Sequence, residues 1–399
     1  MKELTENSMT VVILSIALSA SIICSSKAYT DLGEVFSTGP SNQTAVEQAE
    51  IRERYVPPTR SFDRKNAVVH KKMKRWLNGK PAIVNILVIN PKKSGVVVKP
   101  SFGSYFINSV KSVKEIVNRE DALAGINASY FKPDNGAPLG LAILDGNIIT
   151  GPLYRRVSFG VTKDKEFKMG KVDITGKINI GEDLKLRLFN INQPVFSKYA
   201  FTVYTDKWGK RTPVTSQHYS HIVVAHDKVQ YIKNSSVPVP RGGYVLVGPH
   251  YLVAGKIKQH ERVDYSMTLI PDDWNDNIEY AISGGPYLVK NGKIFIDKQK
   301  FTSNFLWTKA PRTAIGFTKG GSLVMVTIDG RQKGVTEGAT ITELAKIMHE
   351  LGTYNAMNLD GGTSTQMVVN GKLVNYPSVK GGGRVTNALV IVAPVFAAE

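Results

Sequence analysis

Short runs of β-branched and aromatic residues, separated by glycine, asparagine and proline, constrain the fold of this chain most strongly. They begin at residue 81, and examples lie at residues 82–89, 243–247 and 388–392. Runs of this length and composition are typical of strands. The chain from residue 81 onwards is therefore predicted to be rich in β-structure.

Three segments of this kind are predicted to form tight hairpins. Each has an Asp-Gly or Asn-Gly pair between two apolar runs, at residues 145–146, 291–292 and 370–371. Such pairs accept the positive φ angles that a two-residue hairpin needs. Each hairpin follows a polar, glycine-rich segment, at residues 127–140, 283–286 and 358–364. We expect these segments to bring polar groups to one rim of a sheet.

Helical periodicity is clear in two places, at residues 110–117 and 342–351. In the second segment Leu344, Ile347 and Leu351 fall on one face, as in an amphipathic helix. The predicted fold class is therefore α+β, with strand-rich mixed sheets and a few helices in a single large domain at residues 81–396.

The N-terminal segment bears on localisation. Residues 9–24 are uncharged and apolar, but they are fewer than the roughly 20 residues that a spanning helix needs. Together with Ala28, they predict a signal peptide at residues 1–28 and a secreted or cell-envelope protein. An uncleaved anchor, giving membrane association through residues 9–24, stays open because Glu3 and Glu6 offset Lys2.

Residues 29–80 are predicted to form a linker, polar at first and then basic. The whole chain carries a formal net charge of +18 and has an estimated pI of 9.7. Such a charge favours anionic partners, which for an exported chain means anionic envelope polymers rather than nucleic acid. The only cysteine, Cys24, lies in the signal segment, so no disulfide or thiolate metal site is predicted in the mature protein.

The strongest functional signal is the segment NLDGGTST at residues 358–365. Period-two alternation along a strand would put Asn358 and Asp360 on one face, and the next two glycines allow close backbone approach to a ligand. An acid, an amide and several hydroxyls converge there, which a plain hairpin does not require. The predicted site residues in this segment are Asn358, Asp360, Gly361, Gly362, Thr363 and Ser364.

Arginines next to glycines and strand ends form a second theme. Arg312 lies at a strand entrance, Arg331 follows Asp329 at a strand end, and Arg384 follows three glycines. A guanidinium group suits bidentate binding of phosphate or carboxylate, so these arginines favour an anionic substrate. Further binding residues are predicted at Asn127, Gly284, Gly285 and Thr313.

Other site classes lack support in the sequence. His218, His221 and His226 do not have metal-ligand spacing on one strand face. The chain also lacks the serine-hydrolase elbow, the Walker loop and the zinc-protease motif. No metal is predicted; a divalent cation such as calcium, held by Asp360, Asn358 and Asp329, stays open.

The order and spacing of several segments resemble the phosphodiester glycosidase family. The segments are GINASYF at 125–131, SGGPYLV at 283–289, PRTAIG at 311–316, NLDGGTST at 358–365, VNGKLVNYPS at 369–378 and GRVTNALVI at 383–391. Thr363 stands where the family has a third glycine. This resemblance implies a catalytic domain that cleaves the bond between a sugar anomeric carbon and a phosphodiester oxygen.

The implied substrate is a phosphate-bearing glycan or sugar-1-phosphodiester, of the N-acetylglucosamine type or a related envelope glycan. In this hypothesis Asp360 is the nucleophile or general base, Asn358 and Asn127 hold sugar hydroxyls, and Asp329 is a reserve carboxylate. Arg312 and Arg384 would bind the phosphate, with Thr363 and Ser364. One alternative is a non-catalytic protein that binds anionic glycans in envelope or exopolysaccharide assembly. Another is a phosphodiesterase that cuts on the phosphorus side.

Overall fold

Twenty-four strands in four sheets dominate the computed structural model, which describes residues 67–394. Four short helices accompany these strands in the described chain, so the predicted α+β class is confirmed. The predicted signal peptide, Cys24 and the linker up to residue 66 lie outside the described residues. No helix within residues 67–394 is both long and apolar enough to cross a membrane.

The first sheet has seven strands, in the spatial order β1 (Val69–Leu77), β2 (Lys80–Ile89), β20 (Leu323–Ile328), β19 (Arg312–Thr318), β21 (Thr353–Asn358), β17 (Tyr287–Lys290) and β18 (Lys293–Ile294). The second sheet also has seven, in the order β13 (Lys228–Lys233), β12 (Tyr219–Ala225), β14 (Tyr244–Pro249), β11 (Phe201–Thr205), β10 (Leu184–Ile191), β9 (Asp173–Ile180) and β15 (Val263–Ile270).

The two remaining sheets have five strands each. One has the order β6 (Asn147–Thr150), β5 (Ala142–Leu144), β16 (Ile278–Ser283), β7 (Val157–Thr162) and β8 (Phe167–Lys171). The other has the order β23 (Lys372–Leu373), β22 (Met367–Val369), β4 (Ala124–Asn127), β24 (Asn387–Val392) and β3 (Val97–Phe102). The helices are α1 (Pro91–Ser94), α2 (Val113–Arg119), α3 (Ser303–Trp307) and α4 (Ile341–Glu350).

The three predicted hairpins are present. They join β5 to β6, β17 to β18 and β22 to β23 as antiparallel pairs. Both residues of each turn have positive φ; Asn291 is at 52° and Gly292 at 74°, for example. The turn chemistry of Asp-Gly and Asn-Gly therefore sets the strand register locally.

The second predicted helix corresponds to α4, which starts with a capping box. The Thr340 side chain accepts from the Glu343 backbone N–H, and the Glu343 side chain accepts from the Thr340 N–H at 2.8 Å. Leu344, Ala345 and Met348 pack against the first sheet in an apolar cluster. The apolar face of α4 thus covers one side of that sheet.

Replacing Thr340 with alanine should lower the free energy of unfolding by about 1 kcal/mol, because the cap bond to Glu343 is lost. Urea denaturation of both proteins would measure this. Thr308→Ala is a control, since the Thr308 hydroxyl bonds the exposed Asn304 side chain outside a capping box. An unchanged midpoint for Thr340→Ala would contradict the assigned cap.

The basic end of the predicted linker forms β1, the edge strand of the first sheet. Lys72, Lys74 and Trp76 alternate as exposed residues along it. Positive charges on an edge strand oppose pairing with other chains, so the lysines suit this edge position. The described domain therefore includes residues before the predicted boundary at residue 81.

The first sheet brings three predicted site segments together at one end of its central strands. Strand β19 runs antiparallel to both β20 and β21, with Arg312 opposite Ile328 and Ala314 opposite Asn358. The start of β19 therefore lies beside the ends of β20 and β21. This pairing gathers Arg312, Asp329 and the 358–365 segment at the same rim.

Candidate active site

The loop that carries Asp360 is held by a buried asparagine from another sheet. Asn127, at the end of β4, is fully buried and donates its Nδ2 to the Asp360 carbonyl at 2.6 Å. Its Oδ1 accepts from the Thr313 hydroxyl at 2.7 Å and from the Gln366 backbone N–H at 3.1 Å. The Asp360 N–H in turn donates to the Ala128 carbonyl at 3.0 Å. Asn127 thus fixes the backbone on which Asp360 stands.

This placement differs from the expected roles of Asn127 and Thr313 in substrate binding. Both residues have 0% relative exposure, and their polar groups bond protein partners. A sugar hydroxyl has no access to a side chain covered in this way. Both residues therefore position Asp360 rather than contact substrate.

Asn358 and Tyr130 form the next part of the site. Asn358 Nδ2 donates to the Tyr130 hydroxyl at 2.6 Å and to the Gly285 carbonyl at 3.1 Å. The Tyr130 hydroxyl donates to the same Gly285 carbonyl at 2.8 Å. Asn358 is 1% exposed, so it also holds protein groups rather than the sugar hydroxyl expected from the sequence. This network joins the ends of β21 and β16 to the segment after β4.

Asp360 has the electrostatics of a reactive carboxyl group. Burial raises the pKa of Asp360 to about 6, while hydrogen bonds from Ser364 and the Gly361 N–H oppose the rise. Gly361 N donates to Asp360 Oδ1 at 2.9 Å. The residue nevertheless keeps partial solvent exposure. A deep carboxyl with residual access, in equilibrium between its acid and base forms near neutral pH, is suited to acid–base or nucleophilic chemistry.

The predicted glycines let the segments of the site approach one another. A Cβ on Gly284 would lie 2.5 Å from the Asn358 carbonyl oxygen, and one on Gly361 would lie 2.7 Å from the Pro311 oxygen. Gly285 and Gly362 have φ angles of 113° and 62°, which side-chain-bearing residues rarely adopt. The glycines therefore permit close chain packing around Asp360.

Ser364 and Thr363 follow in a single 3-10 turn, Gly362–Ser364. Ser364 is buried, and its hydroxyl opposes the rise in the pKa of Asp360. Thr363 is exposed, and its carbonyl accepts from the Gly383 N–H at 3.0 Å. Ser364 thus belongs to the Asp360 cluster, whereas the Thr363 side chain is free to meet a ligand at the surface.

Arg312 is buried and largely occupied by backbone carbonyls. Its Nε donates to Ala339 at 2.9 Å, and its Nη2 donates to Phe305 at 2.8 Å and Thr308 at 2.7 Å. Burial lowers its pKa, and a smaller contribution in the same direction comes from Arg331. The guanidinium therefore holds the turn around α3 and adds positive charge beneath the rim, rather than offering a free fork.

The other two arginines lie at the surface. The Arg331 guanidinium packs over Gly362, where an added Cβ would lie 3.1 Å from Nη2, and it pairs with no described carboxylate. Arg384 donates to the Val110 carbonyl from Nη2 at 3.0 Å. Arg331, which follows Asp329 in the sequence, is thus better placed beside the Asp360 loop than the predicted Arg384.

Asp329, the reserve carboxylate, lies in a separate polar cluster. It is 1% exposed; Oδ1 accepts from Asn375 Nδ2 at 2.8 Å and Oδ2 from Asn85 Nδ2 at 3.5 Å. Burial raises its pKa, and the bond from Asn375 opposes this. Neither aspartate's pKa is shifted by the charge of the other, as a coupled carboxylate pair would require.

The sequence does not predict a site role for two further residues, Tyr130 and its neighbour Arg156. Tyr130 is buried; its burial and then the Asp360 charge raise its pKa. The Arg156 guanidinium lies 5.4 Å from the Tyr130 ring centroid. Tyr130 was visible in the GINASYF segment, whereas Arg156 sits among ordinary basic residues without a motif. No cluster of three His, Cys, Asp or Glu residues suited to a metal exists in the part of the chain that the structure describes.

Solved structures support the fold. A hypothetical protein from Synechocystis superposes with a TM-score of 0.75 at 24% identity, covering 84% of this chain and 64% of its own. A protein from Burkholderia pseudomallei K96243 gives a TM-score of 0.67 at 22% identity, covering 78% of this chain and 74% of its own. At these identities the likeness concerns the strand-rich fold alone.

Sequence comparison finds similarity to one family over the C-terminal part of the chain. Residues 219–392 match the family described as phosphodiester glycosidase. The human N-acetylglucosamine-1-phosphodiester alpha-N-acetylglucosaminidase is 31% identical over 138 residues, which cover 32% of this chain and 25% of the human protein. The matched part of the chain is thus similar to phosphodiester glycosidases. The match spans about a quarter of the human relative's length.

Proposed function

We propose that the protein is a hydrolase that cleaves a sugar-1-phosphodiester at the glycosidic bond and releases a phosphomonoester. The observation that carries this proposal is Asp360, a deep carboxyl group with a pKa of about 6, held on a fixed backbone in a chain similar to phosphodiester glycosidases. Arg331 beside Gly362 supplies positive charge at the same rim.

The proposed chemistry requires one carboxylate but no strong general acid. Most glycosidases protonate a poor alkoxide leaving group with a second carboxyl. A phosphomonoester is a stable anion with a second pKa of about 6, so it departs without that proton. Asp360 would attack the anomeric carbon or activate the water that does, and Arg331 would stabilise the departing phosphate. This explains why Asp329 need not lie beside Asp360.

The proposal includes a substrate class and a location for the protein outside the cytoplasm. A net charge of +18 favours anionic polymers, and an apolar segment near the N-terminus fits export. The substrate class would be a phosphate-bearing envelope glycan, of the N-acetylglucosamine type or a related one. A panel of sugar-1-phosphodiesters and teichoic-type polymers, assayed for free sugar and phosphomonoester, tests this. Tight binding without turnover by the wild-type protein would favour the non-catalytic alternative.

The pH dependence of turnover should report Asp360. A nucleophile or base must be ionised, and the pKa of Asp360 is about 6. We therefore expect kcat/KM to rise with pH through about 6 and to fall about tenfold for each pH unit below it. Assays from about pH 4 to about pH 9 would measure this limb of the profile. A rate that stays constant well below the Asp360 pKa would show that Asp360 is not the group that must lose a proton.

A further inference from the structure

Arg156 is a buried cation to which the proposed chemistry assigns no role. It is 9% exposed and immediately precedes β7. Its guanidinium carbon is 4.0 Å from the Phe301 ring centroid and 5.4 Å from those of Tyr130 and Tyr154. Three aromatic rings therefore surround the charged group.

No acceptor within residues 67–394 forms a hydrogen bond or ion pair with Arg156, and its Nε is buried without a partner. The contrast with Arg312 is direct, since two of that residue's nitrogens bond three carbonyls. Arg119 likewise donates to the Gly103 carbonyl at 2.6 Å. Buried charges are normally paired. Burial lowers the pKa of Arg156, as expected for a cation without a counterion.

Two strained turns form this environment. Tyr154 and Arg155, just before Arg156, have φ angles of 56° and 48°. Gln299 and Lys300, just before Phe301, have φ angles of 37° and 62°. Left-handed backbone at such residues is strained and persists where the surroundings enforce it, often at functional sites.

The two turns are held against each other. The Gln299 Oε1 accepts from the Val157 N–H at 3.0 Å, and the Lys300 ammonium lies 5.5 Å from the Tyr154 ring centroid. Residues 154–156 and 299–301 of these two turns form what we call the cradle, which supplies positive charge and ring faces. Its side chains provide no carboxylate to the guanidinium.

The cradle adjoins the Asp360 cluster through Tyr130. One side of Tyr130 meets the Arg156 guanidinium, and its hydroxyl bonds Asn358, which precedes the Asp360 loop by two residues. The Asp360 charge also acts on the Tyr130 hydroxyl. Tyr130 thus contacts Arg156 through its ring and Asn358 through its hydroxyl.

We propose that Arg156, framed by Phe301 and Tyr154, is the subsite that binds the phosphate oxyanion of the substrate. An oxyanion supplies the acceptors that the guanidinium lacks, and the planar fork of arginine matches two phosphate oxygens. The aromatic faces limit water around the pair and so strengthen its attraction. This inference rests on the proposed function for the identity of the ligand, while the anion site itself can be tested alone.

The test compares the full chain with Arg156→Met, Arg156→Lys and the neighbouring control Arg155→Gln. Arg155 is exposed and its Nε lies 3.6 Å from an Asp173 carboxylate oxygen, so it matches in type and sequence position but not in burial. Thermal unfolding is followed with increasing inorganic phosphate and with chloride at matched ionic strength. Binding to the native state should raise the melting temperature with phosphate concentration.

We expect phosphate to stabilise the wild type and Arg155→Gln more than chloride does, and Arg156→Met not at all. Arg156→Lys should show a weaker shift, because lysine keeps the charge without the fork. With a sugar-1-phosphodiester, KM should rise about 10- to 100-fold in Arg156→Met, as expected when a hydrogen bond to a charged group is lost. Without ligand, Arg156→Met should melt at or above the wild-type temperature, because it removes an uncompensated buried charge.

An equal phosphate effect in Arg156→Met and wild type would overturn the proposal. A second contrary result is a ligand-free melting temperature well below wild type in both Arg156 variants, with phosphate binding retained. It would show that Arg156 only stabilises the fold by packing on the aromatic rings, and it would also overturn the proposal. The two proposals fail separately. Loss of phosphate binding in Arg156→Met, together with no turnover by the wild type, would leave the anion subsite standing and remove the glycosidase.

Discussion

Replacing Asp360 with asparagine is expected to lower kcat by about 10²–10⁴-fold on a sugar-1-phosphodiester. Asparagine keeps an Oδ1 that can accept from the Gly361 N–H, which Asp360 binds at 2.9 Å, so the loop should retain its shape. The substitution removes the negative charge that would attack the anomeric carbon or activate the attacking water. Steady-state kinetics above about pH 7, where Asp360 is ionised, would give the full effect.

The same substitution should stabilise the protein at neutral pH. The folded-state pKa of Asp360 is about 6, above its ordinary value of 3.8, so folding disfavours the ionised form. Stability from this group is fully present below pH 3.8 and is lost as pH rises to about 6. The loss amounts to about 3 kcal/mol at about pH 7. The free energies of unfolding of Asp360→Asn and wild type, measured by denaturation, should therefore differ at about pH 7.5 and converge near about pH 4.

Asp329→Asn provides the matched comparison, because Asp329 is also a buried carboxylate with a raised pKa. Its bonds to Asn375 and Asn85 give it a structural role. We expect Asp329→Asn to lower stability by about 1–3 kcal/mol while keeping kcat within about tenfold of the wild type. A folded Asp329→Asn variant without turnover would instead make Asp329 the second carboxylate of the reaction. Wild-type turnover by Asp360→Asn would remove Asp360 from the chemistry.

Asn127→Ala should be the most damaging of the positioning variants. It leaves the Asp360 carbonyl, the Thr313 hydroxyl and the Gln366 N–H without their partner in a fully buried site. The expected loss is about 2–5 kcal/mol of unfolding free energy. Displacement of Asp360 should also lower kcat by about 10²-fold.

Chemical denaturation and kinetics at a temperature where the variant is folded would separate these two effects. Asn147→Ala is the control, since Asn147 is exposed and its Nδ2 donates to the Asp145 carbonyl within one hairpin. It should change stability by less than about 0.5 kcal/mol. Equal effects of the two substitutions would contradict the role assigned to Asn127.

Local chemistry made the hairpins and α4 predictable. Asn291 and Gly292 specify their turn by their own φ preferences. Thr340 and Glu343, three residues apart, form the capping box that starts α4. Such features depend on neighbours in sequence. The same is true of the 358–365 segment, whose residue types are visible together although their individual contacts are not.

Long-range packing determined what the sequence did not show. Asn127 bonds a carbonyl 233 positions away, and nothing near it in sequence indicates whether its amide meets substrate or backbone. Arg156 owes its environment to Phe301 and Tyr130, which come from separate loops. The three glycines before Arg384 predict a ligand contact, but its side chain donates to the Val110 carbonyl. Burial and partner identity, rather than residue type, separate positioning residues from binding residues here.

Hydrolysis of a sugar-1-phosphodiester in water enriched in heavy oxygen tests the central claim most directly. Cleavage at the anomeric carbon places the label on the released sugar, whereas attack at phosphorus places it on the phosphate. Mass spectrometry of both products from the wild-type protein, with Asp360→Asn as the blank, would read the outcome. We predict label in the sugar and none above the blank in the phosphomonoester. Label in the phosphate would contradict the assignment of Asp360 to an anomeric carbon and make the protein a phosphodiesterase.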